Sequence, residues 1–415
     1  MHISFSSEDQ NSIKGNGSFL AKELLGSLQP EIWPFLLEDL PIGTVLVGGA
    51  IRDRLLNNYN SIPDLDFVVP KHAFQISKDL AKRYGGTAVH LDQHRDIARY
   101  VINDWKIDIA SQIGKDLNDD LLRRDFTINA IALNIFPTPA FIDPAGGLDD
   151  LHNKKLVAIS EQNFIDDPLR ILRGLRLVSE LNLKLESQTE SLLKKNAGLL
   201  NRVASERIKV ELERLVQGPW ANDVIPLVIK MGLLRPWSLS NNEEYFHSLS
   251  LKNVSSFTAK ELKIALPLVR LSNLLSVEGL VKLGFSKKTI KSCNLLKNWQ
   301  KRNDGLSFRG LNEVDRLQLH IDLENHLPAL ILMLQTIDQK IWLERWRDLS
   351  DPLFHPSSPI DGNTLKDTFD APEGPWIGAL IHFLSKERAF GRLRNREEAF
   401  ELARYWWEHN KPFCD

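Results

Sequence analysis

Cysteine is nearly missing from this chain: 415 residues carry only Cys293 and Cys414, far apart in sequence. With no CxxC and no Cys/His cluster, neither a disulfide framework nor a structural zinc site is expected, and the thiols read as reduced. Long hydrophobic runs are also missing, since no stretch approaches the roughly 20 apolar residues that a membrane span needs. The amino terminus, MHISFSSEDQNSIKGNG, lacks the basic-then-apolar layout of a secretory signal. The expectation is a cytoplasmic protein with no membrane partner. A surplus of one charge sign is absent too, because the net charge is −2. That argues against a surface uniformly coated by nucleic acid, but local arginine clusters can still bind phosphates. There is no internal repeat and no long low-complexity segment. What remains, with 43% hydrophobic and 26% charged residues, is an ordinary globular composition with room for two to four domains.

Texture divides the chain. Residues 18–40 read as an amphipathic helix interrupted at Pro30. Short β-rich runs follow at 44–49, 64–70, 87–92, 98–103, 105–110 and 140–147, with helical patterns between them at 71–84 and 126–135. Strands mixed with helices over about a hundred residues indicate one α/β or α+β domain. From residue 151 strand signals stop almost completely, and helical spacing punctuated by Pro and Gly continues to the end. Ser205 reads as an N-cap of one of these helices. The expected boundaries are a helical extension over 1–40, a sheet-containing head over 41–150, a helical segment over 151–217 and a further helical region over 218–415.

Chemistry concentrates in the head. A strand running into Gly48-Gly49 and then a helix collects free backbone N–H groups and the positive end of a helix dipole at one spot, which suits phosphate. Arg52, just inside that helix, can add a charge-assisted contact. In Asp64-Leu65-Asp66 the two carboxylates stand at i and i+2 of a strand and project to one side. Like charges so placed oppose each other unless a cation neutralises them, and oxygen ligands of this kind suit Mg²⁺. Asp108, in WKIDIA, is a third candidate. A carboxylate there would complete a two-metal site or help deprotonate a hydroxyl, or else simply pair with an arginine.

The order LVGGAIRDRLL (46–56), PDLDFVV (63–69), LLRRDFTINAIAL (121–133), FIDPAGGLDDL (141–151), DDPLRILRGLRL (166–177) and VASERIKVELERL (203–215) resembles the class II tRNA nucleotidyltransferases and poly(A) polymerases. The resemblance implies an α+β fold, in which a polymerase-beta-like mixed-sheet nucleotidyltransferase head is followed by an all-α neck, body and tail. It implies template-independent addition of CMP, and of AMP in some members, from CTP and ATP to the 3′ end of tRNA, with Mg²⁺ as the cofactor. On this chain Asp64 and Asp66 match the metal pair. Gly49, with Gly48 beside it, and Arg52 match the triphosphate positions. Arg124 and Asp125 match residues near the sugar and phosphates, where a carboxylate can accept from the ribose 2′-hydroxyl.

The segment DDPLRILRGLR matches the motif that selects the base, and its chemistry can be argued from the residues. Asp167, Arg170, Arg173 and Arg176 recur every three residues and read as one helix stripe. A guanidinium only donates and a carboxylate only accepts. Arg170 and Asp167 therefore suit the adjacent acceptor and amino group of cytosine and of adenine. Uracil and guanine, with the opposite order, would leave both protein groups unpaired, at a cost on the order of 1–3 kcal/mol each. Arg173 and Arg176 are left for phosphates. One departure bears on the product: only SQIGKDLNDDLL separates IDIA from RRD, where members that complete CCA carry a longer loop. A CC-adding enzyme, a CCA-adding enzyme and a poly(A) polymerase all remain open, as does a nucleotidyltransferase acting on a small molecule or protein.

Overall fold

The computed structural model describes residues 12–58, 62–238, 254–302, 308 and 310–410, with Cys414 outside them. Contacts divide the chain into two units, residues 1–233 and 234–415. The first unit is built on a seven-stranded mixed sheet of β1 (Val45–Val47), β2 (Leu65–Val69), β3 (Thr87–Asp92), β4 (Ile97–Ile102), β5 (Trp105–Ser111), β6 (Ala132–Asn134) and β7 (Ala140–Ile142). Their order is β3-β4-β5-β2-β1-β6-β7. Only the β2–β5 contact within it is parallel. The α+β fold implied by the resemblance is therefore present.

Alternation along the strands sets what each face of the sheet meets. Leu65, Phe67, Ala98, Tyr100, Ile107 and Ile109 are almost wholly buried. Helix α3 (Ala73–Tyr84) packs against β3, β4 and β5, while Trp33 and Phe35 stack edge-on to Phe67 with ring centroids 5.7 and 6.0 Å away. The start of α3 is capped from a distance. Asp96, in the β3–β4 turn, accepts the backbone N–H groups of Ala73 (2.8 Å) and Phe74 (3.1 Å), satisfying donors that a helix start leaves orphaned. On the opposite face Val45, Val47 and Val68 are covered by Leu121 of α4 (Leu117–Leu122) together with Ala130 and Ala132.

Helices α1 (Ser12–Ser27), α2 (Gly49–Leu55), α5 (Gly147–His152), α6 (Glu161–Asp166), α7 (Leu169–Leu181), α8 (Ser187–Lys195), α9 (Ser205–Gln217) and α10 (Ala221–Lys230) complete the first unit. Helix α7 lies close to Phe126: a Cβ on Gly174 would stand 2.5 Å from the Phe126 ring, so any larger residue there would push the helix away from the head. The regular elements described in the second unit are all helices. Trp299 and Trp376 are buried there, and Trp407 stacks on Phe369 at 4.8 Å.

Three expectations are corrected. Residues 126–135 are not a helix: a single 3-10 turn, Thr127–Asn129, leads into β6, where Ala132 and Leu133 are buried between β1 and β7. An apolar run of this length reads equally as strand or buried helix. The near-absence of strand beyond 151 is met among the described residues, where Lys155–Leu156 pairing in parallel with Lys184–Leu185 is the short exception. Ser205 is the first helical residue rather than the cap, a place held by Ala204 with no side-chain bond. Finally, the arginines of α7 do not form one stripe. A spacing of three falls about 60° short of a full turn at each step. From Arg170 to Arg176 the direction therefore swings through roughly 120°, away from the head and toward α9. Arg176 is 4% exposed and pairs with Glu180 at 2.7 Å and Glu211 at 2.6 Å. Glu211→Ala would leave Arg176 with Glu180 as its remaining carboxylate, so it is expected to cost about 2 kcal/mol, the loss of one hydrogen bond to a charged group, measurable as a lowered urea midpoint of the first unit.

Candidate active site

The cleft face of the sheet is set by β1, β2 and β5. Val47 lies opposite Asp66 and Asp66 opposite Asp108, so the two carboxylates share a face on adjacent strands. Asp64 precedes β2 by one residue and is exposed. Burial and the charge of Asp108 push the Asp66 carboxyl up to about 6, with Asp64 adding to the shift and Arg124 opposing it. Asp108 is also held from its other side. Arg99, directly opposite on β4, donates Nε and Nη2 to its two oxygens at 2.7 and 2.8 Å. Asp108 thus makes the arginine pair while sharing the face of Asp66.

The turn between β1 and α2 passes directly over Asp66. Gly48 has φ +77, and a Cβ there would stand 3.1 Å from Asp66 Oδ2. Any other residue would pay for the left-handed backbone and would also crowd the carboxylate. Beneath the first turn of α2, Arg52 is 7% exposed. Its Nη1 donates to Asn129 Oδ1 at 2.6 Å and its Nε to Asp53 at 2.8 Å. Arg52 therefore props the turn from below and does not line the cleft, contrary to the expectation that it faces phosphate.

From Asn129 the network continues. Its Nδ2 donates to Asp125 Oδ1 at 2.9 Å, and Arg173 lies 3.0 Å from the other Asp125 oxygen. Burial alone would raise the Asp125 carboxyl, but the Arg173 charge and the bonds from Asn129 and the Phe126 N–H outweigh it and hold it below the usual range. Arg170 donates to the carbonyls of Arg123 (2.6 Å) and Asn163 (3.3 Å). Asn163 in turn donates to the carbonyls of Leu122 and Arg124, so the neck grips the RRD segment through its backbone. Asp167 accepts from Arg207 of α9 at 2.9 Å.

These residues enclose a cleft of about 290 Å³ lined by Gly48, Gly49, Asp66, Arg124, Asp125 and Asn129 on the head and by Asp167, Arg170, Arg173 and Arg207 on α7 and α9. Arg95, Ile97, Ala110, Asp120 and Arg123 are among the residues of its remaining wall. Of the residues singled out in the sequence, Gly48, Gly49, Asp66, Arg124, Asp125, Asp167, Arg170 and Arg173 line this cleft; Arg52, Asp64, Asp108 and Arg176 do not. Sequence reasoning missed Asn129, Asn163 and Arg207. Asn129 and Arg207 sit inside quoted motifs, and only the tertiary contacts give them partners.

Among the described residues no three His, Cys, Asp or Glu side chains converge as a complete metal cage. The carboxylates present nonetheless fit a divalent cation. Asp66 sits beside the charges of Asp108 and Asp64, which Arg124 and Arg173 do not fully offset, and Mg²⁺ takes one or two carboxylates while filling the rest of its shell with water and phosphate oxygens.

Carboxylates, a glycine turn and arginines meeting in one cleft of a mixed sheet backed by helices make this chain an enzyme that transfers nucleotides. Residues 44–157 match the sequence pattern of the poly A polymerase head domain, and residues 182–238 match a probable RNA and SrmB-binding site of polymerase A. The CC-adding tRNA nucleotidyltransferase of Synechocystis sp. is 30% identical over 91% of this chain and 97% of its own length. That of Geobacter sulfurreducens is 37% identical over 46% of this chain and 43% of its own. The Bacillus stearothermophilus CCA-adding enzyme, solved in complex with CTP, has the same fold, with a TM-score of 0.67 at 21% identity over 98% of this chain and 100% of that one. The chain belongs to the tRNA nucleotidyltransferase family and is an enzyme of tRNA 3′-end nucleotide addition. Enzymes of this family work with a divalent metal. No helix among the described residues is long and apolar enough to cross a membrane.

Proposed function

We propose that this enzyme adds CMP, from CTP with Mg²⁺, to the 3′ end of tRNA lacking its CCA terminus, without a template, and that it stops at CC. The observation that carries the reading is the convergence of Asp66, Arg124 and the Asp167–Arg170 pair on one cleft. Similarity over most of the chain to a CC-adding enzyme supports it. Asp64 and Asp66 would hold the metal, which when bound neutralises triphosphate charge and lowers the pKa of the attacking hydroxyl. The tRNA 3′-hydroxyl gives its proton to water as its oxygen bonds to the α-phosphorus and the bond to the bridging oxygen breaks. Pyrophosphate leaves with that electron pair toward Arg124 and the Gly48-Gly49 amides. Asp125, kept ionised by Arg173, would accept from a ribose hydroxyl. Arg170 and Asp167 read the base, each retaining free hydrogen-bonding capacity beyond its protein contacts. The division into head, neck and helical body, and a cytoplasmic setting, belong to the same reading.

The test is incorporation from each nucleoside triphosphate in turn onto tRNA lacking CCA. CTP is expected to be used, with UTP and GTP rejected. Arg170→Ala is expected to lower kcat/KM for CTP by about a hundredfold, the effect of leaving one charged pairing unmade, and to narrow the preference for CTP over UTP. Equal use of UTP by the unaltered protein would overturn the base-reading assignment.

A further inference from the structure

Asn129 is 4% exposed and closes the 3-10 turn Thr127–Asn129. The turn holds without its side chain, because the backbone N–H groups of Asn129 and Ala130 already reach the carbonyls of Phe126 (3.0 Å) and Thr127 (2.9 Å). The amide is used instead on partners of opposite character. Its Oδ1 accepts from Arg52 Nη1, 77 residues away in sequence, at 2.6 Å, and its Nδ2 donates to Asp125 Oδ1 at 2.9 Å. A guanidinium only donates and an ionised carboxylate only accepts, so a bridge between them needs an acceptor and a donor on one group. A primary amide supplies both without setting a second negative charge against Asp125.

The consequence falls on Asp125, which lines the cleft. Its Oδ1 takes two donors, the Asn129 amide and the Phe126 N–H, each at 2.9 Å. Its Oδ2 lies 3.0 Å from Arg173 Nε. With about two acceptor sites on each carboxylate oxygen, Oδ1 is filled and Oδ2 keeps one site for a ligand. We propose that Asn129 is a positioning residue for sugar selection: together with Arg52 it locks the Asp125 carboxylate so that Oδ2 receives the 2′-hydroxyl of the incoming ribonucleotide. The inference rests on the function proposed above. With the amide gone, the carboxylate is left to Arg173 and the Phe126 N–H and is free to tilt toward the arginine. A ribonucleotide then loses its hydrogen bond, whereas a deoxyribonucleotide has none to lose. Arg52 acts at one remove. It does not line the cleft, yet without its guanidinium Asn129 Oδ1 is buried and unpaired, and the amide is driven to turn away from Asp125.

The readout on the full chain is the ratio of kcat/KM for CTP to that for dCTP on tRNA lacking CCA. The unaltered protein is expected to favour CTP. Asn129→Leu, close in size but unable to bridge, is expected to lower that ratio about tenfold, the effect of one hydrogen bond to a charged group. Arg52→Met is expected to lower it as well, although its side chain lies outside the cleft, and Arg52→Lys, which can still donate to Asn129, to keep it near native. A merely structural role would reduce CTP and dCTP use in equal proportion, and an equal loss in the two variants would overturn the proposal. Should the variants fail to fold, a crystal structure of the unaltered protein with CTP decides. Asp125 Oδ2 is expected within about 3 Å of the ribose 2′-hydroxyl with Oδ1 still on Asn129; a 2′-hydroxyl bound elsewhere would sink the assignment. An unaltered protein that adds neither nucleotide to tRNA would overturn the proposed function itself. One that adds CMP but does not prefer it over dCMP, or whose preference ignores both variants, would overturn only the role of Asn129.

Discussion

Asp66→Asn is expected to reduce CMP incorporation about a thousandfold or more while making the protein more stable. The loss follows from removing a carboxylate assigned to the metal, whose stabilisation of the transition state amounts to several kcal/mol, each 1.36 kcal/mol being a factor of ten in rate. The gain has a separate origin. Burial and the neighbouring carboxylates Asp108 and Asp64 raise Asp66 to about 6, above the value of roughly 4 for an unfolded aspartate. The ionised form is therefore disfavoured in the fold. Below the unfolded value the group is protonated in both states and costs nothing. As pH rises toward about 6 the unfolded chain ionises first, and native stability falls until the penalty is complete. Asparagine carries no such penalty. In metal-free buffer, thermal melts of the two proteins are expected to coincide near pH 4 and to separate by a few degrees at pH 8, the variant being higher. Mg²⁺ is expected to raise the melting temperature of the native protein and not that of the variant. A variant that loses activity and also unfolds earlier at pH 8 would show Asp66 to be a structural residue.

How much of this was legible in the sequence depends on the range of the interaction. Gly48-Gly49 and the Asp64–Asp66 pair are local patterns, and strand periodicity or a turn is enough to place them. Arg170 and Asp167 flank the start of a helix and needed only Pro168 to be located. Features that depend on strand register were not read. Arg99 and Asp108 are nine residues apart on antiparallel neighbours, and the two-residue Asn103-Asp104 turn that sets their register has to be recognised as a hairpin before they can be paired. Asp96 capping α3 is similarly a product of tertiary geometry. Helix phase explains the arginines of α7. A spacing of three keeps Arg170 and Arg173 near the cleft, but by Arg176 the accumulated rotation has carried the side chain to Glu180 and Glu211. Arg52 lies within a motif matched to triphosphate binding, yet the hydrogen bond to Asn129 turns it inward.

The product is expected to end at CC even when ATP is present, with AMP addition to tRNA ending in CC at least about a hundredfold slower than CMP addition to tRNA lacking both cytidines. Arg170 and Asp167 cannot by themselves make that distinction, because cytosine and adenine present the same acceptor beside the same amino group. Passing from C to A therefore needs a part of the site that changes shape and admits a purine after the second cytidine. The link between β5 and the RRD segment is the place where members that complete CCA are longer, and here it is short and braced. Asp120 accepts from the Ile113 N–H at 3.0 Å, Asp119 from that of Lys115 at 2.9 Å, and Asp116 caps α4 through the Asp119 N–H at 3.0 Å. Gly114 turns at φ +98 with Asp119 Cβ only 2.5 Å from where its own Cβ would be. Leu121 anchors the far end beneath Val45, Val47 and Val68. A segment tied at each of these points has no slack with which to remodel the base pocket, so the cleft keeps one size. Gel analysis of products from tRNA lacking CCA, with CTP alone and then with CTP and ATP, reads the outcome directly. Identical CC-terminated products in the two lanes are expected, whereas a CCA-terminated product formed at a comparable rate would mean that the pocket enlarges by movement of some other element.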